Sequence, residues 1–105
     1  MVIIETPTFT RIVKELLSDE EYRALQEVLV TRPDAGGLIK ESGGLRKIRW
    51  RQEGRGKRGA VRAVYYWMVG DDQIYMLYAY VKGRQEDLSP VQLKQLKDIV
   101  GRWSP

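Results

Sequence analysis

Apolar residues near the N-terminus recur at intervals of three and four positions, the spacing of one helical face. The residues on these faces are Phe9, Ile12, Val13 and Leu16 in a first segment and Tyr22, Leu25, Val28 and Leu29 in a second. Thr6-Pro7 precedes the first segment, with threonine as an N-cap and proline at the first helical position. Ser18 and Glu21 form a capping box before the second. The pattern predicts two short helices joined as a hairpin.

Elsewhere the apolar positions alternate, as expected for strands. Residues 2–5, 45–51, 61–69 and 74–82 are predicted strands. In the third of these, Arg62 lies on the face opposite Val61, Tyr65 and Trp67. In the fourth, strict alternation places Ile74, Met76, Tyr78, Tyr80 and Lys82 on one face.

The predicted elements follow one another as a strand, two helices, three strands and a closing helix that begins at Ser89-Pro90. Because no helix crosses between the last three strands, the sheet should be mainly antiparallel, with helices packed on one face and the other partly open. The fold class is therefore α+β, in a single domain over residues 1–105. Residues 34–44 are predicted as a loop, with Leu38 and Ile39 against the core.

Basic residues are concentrated in one stretch of the chain. Residues 45–62 carry eight lysines and arginines and one acid, a net charge of +7, whereas the whole chain has +4, so the remainder sums to −3. Such a cluster, on strands joined by a glycine-rich turn at 52–59, is typical of a site for a polyanion such as nucleic acid. The competing interpretation is a solvated, basic strand pair.

Composition excludes several classes of function. The 105 residues include no cysteine and no histidine, which removes disulfides, thiolate metal sites and the usual general base near neutral pH. Zinc hydrolase, cysteine protease and Ser-His-Asp chemistry are thereby excluded, and no metal or cofactor is expected. The N-terminal residues carry no charged leader and only a short apolar run, so we expect a cytoplasmic protein without a membrane segment.

Three motifs, GGLRKIRW at 43–50, GRGKRGAVRAVYYW at 54–67 and YVKGRQEDLS at 80–89, together resemble the HigB-like branch of the RelE toxin superfamily over nearly the whole chain. The resemblance implies a compact RelE-like fold and the toxin of a type II toxin–antitoxin module. It further implies a ribosome-dependent endoribonuclease that cuts mRNA in the decoding site. The implied partners are mRNA on the ribosome, with contacts to ribosomal RNA, and a cognate antitoxin that carries a helix-turn-helix domain.

The resemblance also implies site residues. Arg62 matches the strand arginine that acts on the scissile phosphate, Lys57 lies in the lysine-bearing turn, and Tyr80 and Lys82 lie in a Y-x-K motif at the cleft. The family tyrosine near the last segment is replaced by Leu88, so its role passes to Tyr80 or to no residue. The remaining predicted RNA-binding residues are Arg46, Lys47, Arg49, Arg55 and Arg58.

Cleavage of RNA without metal or histidine uses the neighbouring 2′-hydroxyl as nucleophile. We expect Arg62, on an exposed sheet face, to hold the phosphate with Arg49 as a second contact. Clustered cations should depress the pKa of Tyr80 and Lys82 and favour a phenolate or a neutral lysine. Tyr80 could instead stack on a base or pack in the core. Two other functions stay open: a non-catalytic nucleic-acid-binding module, and a gyrase-targeting toxin of the same fold.

Overall fold

A computed structural model describes residues 1–51, 60–83, 85 and 87–103, the last of these without its side chain. The helices and strands match the predicted order, with one short additional strand. They are β1 (Val2–Glu5), α1 (Pro7–Leu16), α2 (Asp19–Thr31), β2 (Gly37–Leu38), β3 (Leu45–Trp50), β4 (Val61–Met68), β5 (Gln73–Val81) and α3 (Pro90–Trp103).

The five strands form one sheet in the order β1-β5-β4-β3-β2. The sheet contains three antiparallel pairs, β2–β3, β3–β4 and β4–β5, and one parallel pair, β1–β5. This arrangement confirms the predicted α+β class and the mainly antiparallel sheet. It makes β4 the central strand, with β3 and β5 on its two sides.

All three helices begin at the predicted caps. The Thr6 hydroxyl accepts a hydrogen bond from the Phe9 amide, and Pro7 occupies the first turn of α1. Ser18 and Glu21 form the reciprocal capping box of α2. Ser89 and Gln92 make the same exchange at α3, at 2.9 and 3.1 Å. Each cap satisfies amides that the helix itself leaves without acceptors.

Helices cover both faces of the sheet, so the expectation of helices on one face only was wrong. Helices α1 and α2 pack on the face that carries Val61 and Tyr65. Helix α3 packs through Leu96 and Val100 on the opposite face. The physical reason lies in β4, whose alternate residues are apolar on both sides, so that neither face could be left to water.

A β-bulge in β5 changes which side chains share a face. Val64 pairs with Tyr78 while Tyr65 pairs with Met76, so Leu77 is an extra residue on β5. The strict alternation predicted for 74–82 is therefore wrong. Ile74 and Met76 belong to the core under α1 and α2, whereas Leu77 and Tyr80 belong to the core under α3.

The loop before β3 also differs from the prediction. It contains β2, whose residue Leu38 is 64% exposed rather than packed on the core, while Ile39 packs under α3 as expected. Within the part of the chain that the structure describes, no helix has the length and apolar character needed to cross a membrane.

Candidate functional site

Three neighbouring strands place a row of polar side chains on the α3 face of the sheet. Arg62 on β4 pairs directly with Arg49 on β3 and with Tyr80 on β5. Directly paired residues point to the same face, and adjacent strands lie about 4.8 Å apart. Lys47 lies two residues before Arg49 on the same face.

Arg62 is buried, with 7% of its surface exposed, which corrects the expectation of an exposed arginine. Its Nη1 atom is fully buried and has no hydrogen-bond acceptor among the described residues. A buried cationic nitrogen without an acceptor is costly in a protein interior. The planar guanidinium fork matches the oxygens of a carboxylate or a phosphate, so an anionic ligand of either kind has the chemistry to supply the missing acceptor.

Asp87, which follows β5 in the chain, links Lys47 to Tyr80. Its Oδ1 atom lies 3.4 Å from Lys47 Nζ and accepts the Tyr80 hydroxyl at 3.5 Å. The same oxygen accepts the Leu88 amide at 2.9 Å. This amide and Lys47 lower the pKa of Asp87, so the carboxylate is ionised at neutral pH. Sequence reasoning gave Asp87 no role, although it lies inside the quoted YVKGRQEDLS motif.

Tyr80 remains a phenol at neutral pH. Burial and the negative charge of Asp87 raise its pKa to about 12, and the positive charge of Arg62 opposes them only in part. The expectation of a depressed pKa was therefore wrong for Tyr80. The sequence argument considered only the cations, whereas burial of the hydroxyl and, after it, the negative charge of Asp87 outweigh the effect of Arg62 on the pKa. Tyr80 is suited to donate a proton.

The sequence matches the family described as RelE toxin of RelE / RelB toxin-antitoxin system over residues 1–104. The chain belongs to the RelE toxin family. It is accordingly a toxin of a toxin–antitoxin system, and toxins of this family are in general endoribonucleases that cleave mRNA during translation and are countered by an antitoxin.

The other predicted site residues of this RelE toxin are distributed unevenly. Arg46 lies on the opposite face of β3, where its Nη1 atom donates to the carbonyl of Gly36 at 2.8 Å and of Asp34 at 3.3 Å. Lys82 is exposed just after β5, and within the described part of the chain its side chain forms no hydrogen bond with Tyr80 and no ion pair. The predicted residues outside the described part are Arg55, Lys57 and Arg58.

Sequence reasoning missed a second aromatic residue beside the row. The Tyr78 ring lies 6.1 Å from the Tyr80 ring, and its hydroxyl accepts a hydrogen bond from Gln92 Nε2 at 3.1 Å. Tyr78 is half-buried and packs against the core under α3, on the same face of β5 as Tyr80. Gln92 also caps α3, so the helix start and the toxin's candidate site share one residue. The sequence signal for this second aromatic residue was the Tyr-x-Tyr spacing of Tyr78 and Tyr80, which places both rings on one face of a strand.

Proposed function

We propose that this protein is a HigB-like, ribosome-dependent endoribonuclease that cuts translated mRNA by metal-independent attack of the 2′-hydroxyl, and thereby arrests translation in the cytoplasm. The observation that carries this proposal is the buried Arg62, whose Nη1 atom has no acceptor among the described residues. A scissile phosphate would supply that acceptor. The implied antitoxin is one with a helix-turn-helix domain.

Arg62 is assigned to the charge that develops on phosphorus. Its planar fork can donate to two phosphate oxygens at once, and its position in the central strand holds it in place before the substrate arrives. Electrostatic stabilisation of this kind depends on such preorganisation. Arg49, the exposed cross-strand neighbour, would hold the adjacent phosphate. Lys82 and Lys57 are proposed to contribute further positive charge at the mouth of the site.

Proton transfer is assigned to Tyr80 and Asp87. The 2′-oxygen attacks phosphorus, its proton passes to the Asp87 carboxylate, and the 5′-oxygen leaves with a proton from the Tyr80 hydroxyl. The products are a 2′,3′-cyclic phosphate and a free 5′-hydroxyl. The raised pKa of Tyr80 and the lowered pKa of Asp87 suit a proton donor and an ionised acceptor. Asp87 is a weak base, so we expect a slow chemical step.

The experiment is induction of the protein in growing cells, with the new RNA ends mapped against the reading frame. Cuts should appear at a fixed position within codons and should vanish from a matched message whose start codon has been removed. The purified protein should cleave the same RNA poorly without ribosomes, because the ribosome completes the positioning of the strand.

Two outcomes would contradict this assignment in different ways. If the purified protein cleaves naked RNA efficiently at a concentration similar to that used with ribosomes, the proposed ribosome dependence is wrong, but the protein is still an endoribonuclease. Growth arrest without any new RNA ends would remove the nuclease and favour a toxin that binds a protein target such as gyrase. Binding to RNA without cleavage or growth arrest would favour a non-catalytic module.

A further inference from the structure

A cavity of about 170 Å³ opens beside β5, between the start of α1 and the exposed rim of α3. Its volume is several times the ~30 Å³ of a water molecule and below the ~300 Å³ of the smallest pockets for drug-sized ligands. It therefore has room for one small planar group. Tyr78, which lines the cavity, is also the neighbour of Tyr80 in the candidate site.

The lining of the cavity carries no charged residue. Its apolar floor is formed by Leu77, Leu96 and Ile99, and the remaining residues are polar but neutral. Such a lining offers no positive charge to a phosphate and suits an uncharged ring that has hydrogen-bonding groups on its edge.

Two of the polar groups are available to a ligand. Within the described part of the chain, the Gln95 amide and the Thr8 hydroxyl have no hydrogen-bond partner, and both residues are exposed. The other three are already engaged, since the Thr6 hydroxyl donates to the Leu77 carbonyl at 3.0 Å and the Gln92 amide donates to the Tyr78 hydroxyl at 3.1 Å. An amide and a hydroxyl together offer donors and acceptors for the edge of a base.

The cavity continues the row of site residues across the sheet. The row runs from Arg49 on β3 through Arg62 on β4 to Tyr80 on β5, and the cavity lies on the far side of β5, where β1 has ended. The Tyr78 and Tyr80 rings are 6.1 Å apart, a separation that one nucleotide of an extended strand can span. A strand whose phosphates contact the arginines would thus bring a neighbouring base to the cavity.

We propose that this cavity binds one nucleobase of the RNA next to the scissile phosphate. The edge of the base contacts Gln95 and Thr8, and its face contacts Tyr78. This proposal rests on the endoribonuclease function proposed above and adds a specificity subsite to it. It predicts that cleavage depends on the identity of one base beside the cut.

The test uses an in vitro translation system with purified ribosomes and a pool of messages randomised around the cut. The double variant Thr8→Val/Gln95→Leu removes both free polar groups and keeps their volume. The base preference at one flanking position should fall by about five- to a hundredfold, the range for losing hydrogen bonds to a base edge. Lys94→Leu is the matched control, because Lys94 is exposed on the same helix and does not line the cavity.

A second arm tests occupancy of the cavity directly. A message with an abasic ribose at the preferred position should be cut by the wild-type protein as slowly as the double variant cuts the intact message. The variant should not distinguish the two messages. Gln95→Trp, which fills the mouth of the cavity from an exposed position, should lose the same preference.

Several results would overturn the proposal. One is a wild-type profile without base preference, and another is a preference that survives both variants. If the double variant keeps the wild-type base preference but is no longer neutralised by the antitoxin, the cavity binds a side chain of the antitoxin instead. If the wild-type protein produces no cuts at all, the proposed endoribonuclease function itself fails, and the subsite falls with it.

Discussion

Arg62 and Arg46 lie on neighbouring strands but on opposite faces of the sheet, and their surroundings differ accordingly. Arg46 donates from Nη1 to two backbone carbonyls, at 2.8 and 3.3 Å, and so holds the loop before β2. Arg62 is buried with an Nη1 atom that has no acceptor among the described residues. The hydrogen bonds of the first arginine stabilise the fold, whereas burial of the second without an acceptor for Nη1 costs stability. This cost is consistent with the phosphate-binding role proposed above for Arg62.

Replacement of Arg62 by methionine, R62M, should separate activity from stability. We expect cleavage to fall on the order of 10²–10³-fold, because a transition-state donor is lost. The free energy of unfolding should stay within about 1 kcal/mol of the wild type or rise, since an apolar side chain of similar length replaces a buried charge. Urea unfolding and mRNA-end mapping measure the two effects.

The matched control is R46M, which should show the reverse pattern. Loss of two hydrogen bonds from a charged donor should cost about 1–2 kcal/mol of stability, while cleavage stays near the wild-type rate. If R62M remains toxic, or loses toxicity only because it unfolds, Arg62 does not belong to the site.

Strand alternation was sufficient to place these arginines on their faces, but not to describe their surroundings. Arg62 was predicted on the face opposite Tyr65, and the pairing confirms it. The same alternation along β3 separates Arg46, which pairs with Tyr65, from Lys47, which pairs with Val64. It could not show that Arg62 is buried, because burial depends on contacts between segments distant in sequence. It missed Asp87 for the same reason, since Asp87 and Lys47 are forty residues apart.

The carboxylate of Asp87 should control the ionisation of Tyr80. In D87N we expect the pKa of Tyr80 to fall from about 12 part of the way towards its reference value of ~10, because the negative charge is removed and burial remains. The difference between the ultraviolet absorbance titrations of D87N and D87N/Y80F gives the titration of Tyr80 alone, without the other tyrosines. A Tyr80 titration that D87N leaves unchanged would mean that burial alone sets the pKa.

At the scale of whole elements, the caps and periodicities were reliable and the irregularities were not. Helix starts are encoded by a few adjacent residues, so α1, α2 and α3 were predicted at their observed caps. The bulge at Leu77 has no such local code, because it depends on how β5 packs against β4 and α3. The two-residue strand β2 likewise forms only because β3 is there to pair with it.

The loop before β2 is fixed to the sheet by a close contact at Gly36. The Gly36 amide donates to the Tyr65 hydroxyl at 2.8 Å, and that hydroxyl donates to the Pro33 carbonyl at 2.7 Å. A Cβ atom at Gly36 would lie 2.8 Å from Tyr65 Cε1 and 3.0 Å from the Lys47 carbonyl. Glycine is therefore required here by space, and the contact reaches the backbone of a site residue.

The variant G36A should destabilise the protein by about 1–3 kcal/mol, as expected for overpacking against a buried ring and a backbone carbonyl. G37A is the matched control, because no atom lies within 4 Å of a Cβ at that position, and its effect should stay within about 0.5 kcal/mol. Urea unfolding measures both. Equal stability of the two variants would show that the loop moves away from Tyr65 at little cost.

On the scale of the whole molecule, the sheet is covered on both faces, and each covered face contains a tyrosine with a raised pKa. Tyr65 and Tyr22 lie on the α1 and α2 side, where Tyr22 donates to Glu5 Oε2 at 2.6 Å, and Tyr80 lies on the α3 side. Burial is the main cause of the raised pKa in all three. The fold therefore depends at several places on neutral phenols, and this dependence gives it a shared response to alkaline pH.

We expect the free energy of unfolding to fall as the pH rises above about 10, the reference pKa of tyrosine. Between this value and the pKa of about 12 that Tyr80 has in the folded protein, the folded state retains a proton that the unfolded state has lost, so a rise in pH favours unfolding. The pKa values of Tyr22 and Tyr65 are also raised in the folded protein, so these residues likewise lower the free energy of unfolding as the pH rises. Urea unfolding from pH 8 to 12 measures the decline. Y22F and Y65F should each be less stable than the wild type at pH 8, by about 1 kcal/mol for each hydrogen bond lost, the one to Glu5 in Y22F and the two with Gly36 and Pro33 in Y65F. Both variants should nevertheless decline less steeply with pH. If the variants decline as steeply as the wild type, other groups cause the alkaline response and the buried phenols do not set it.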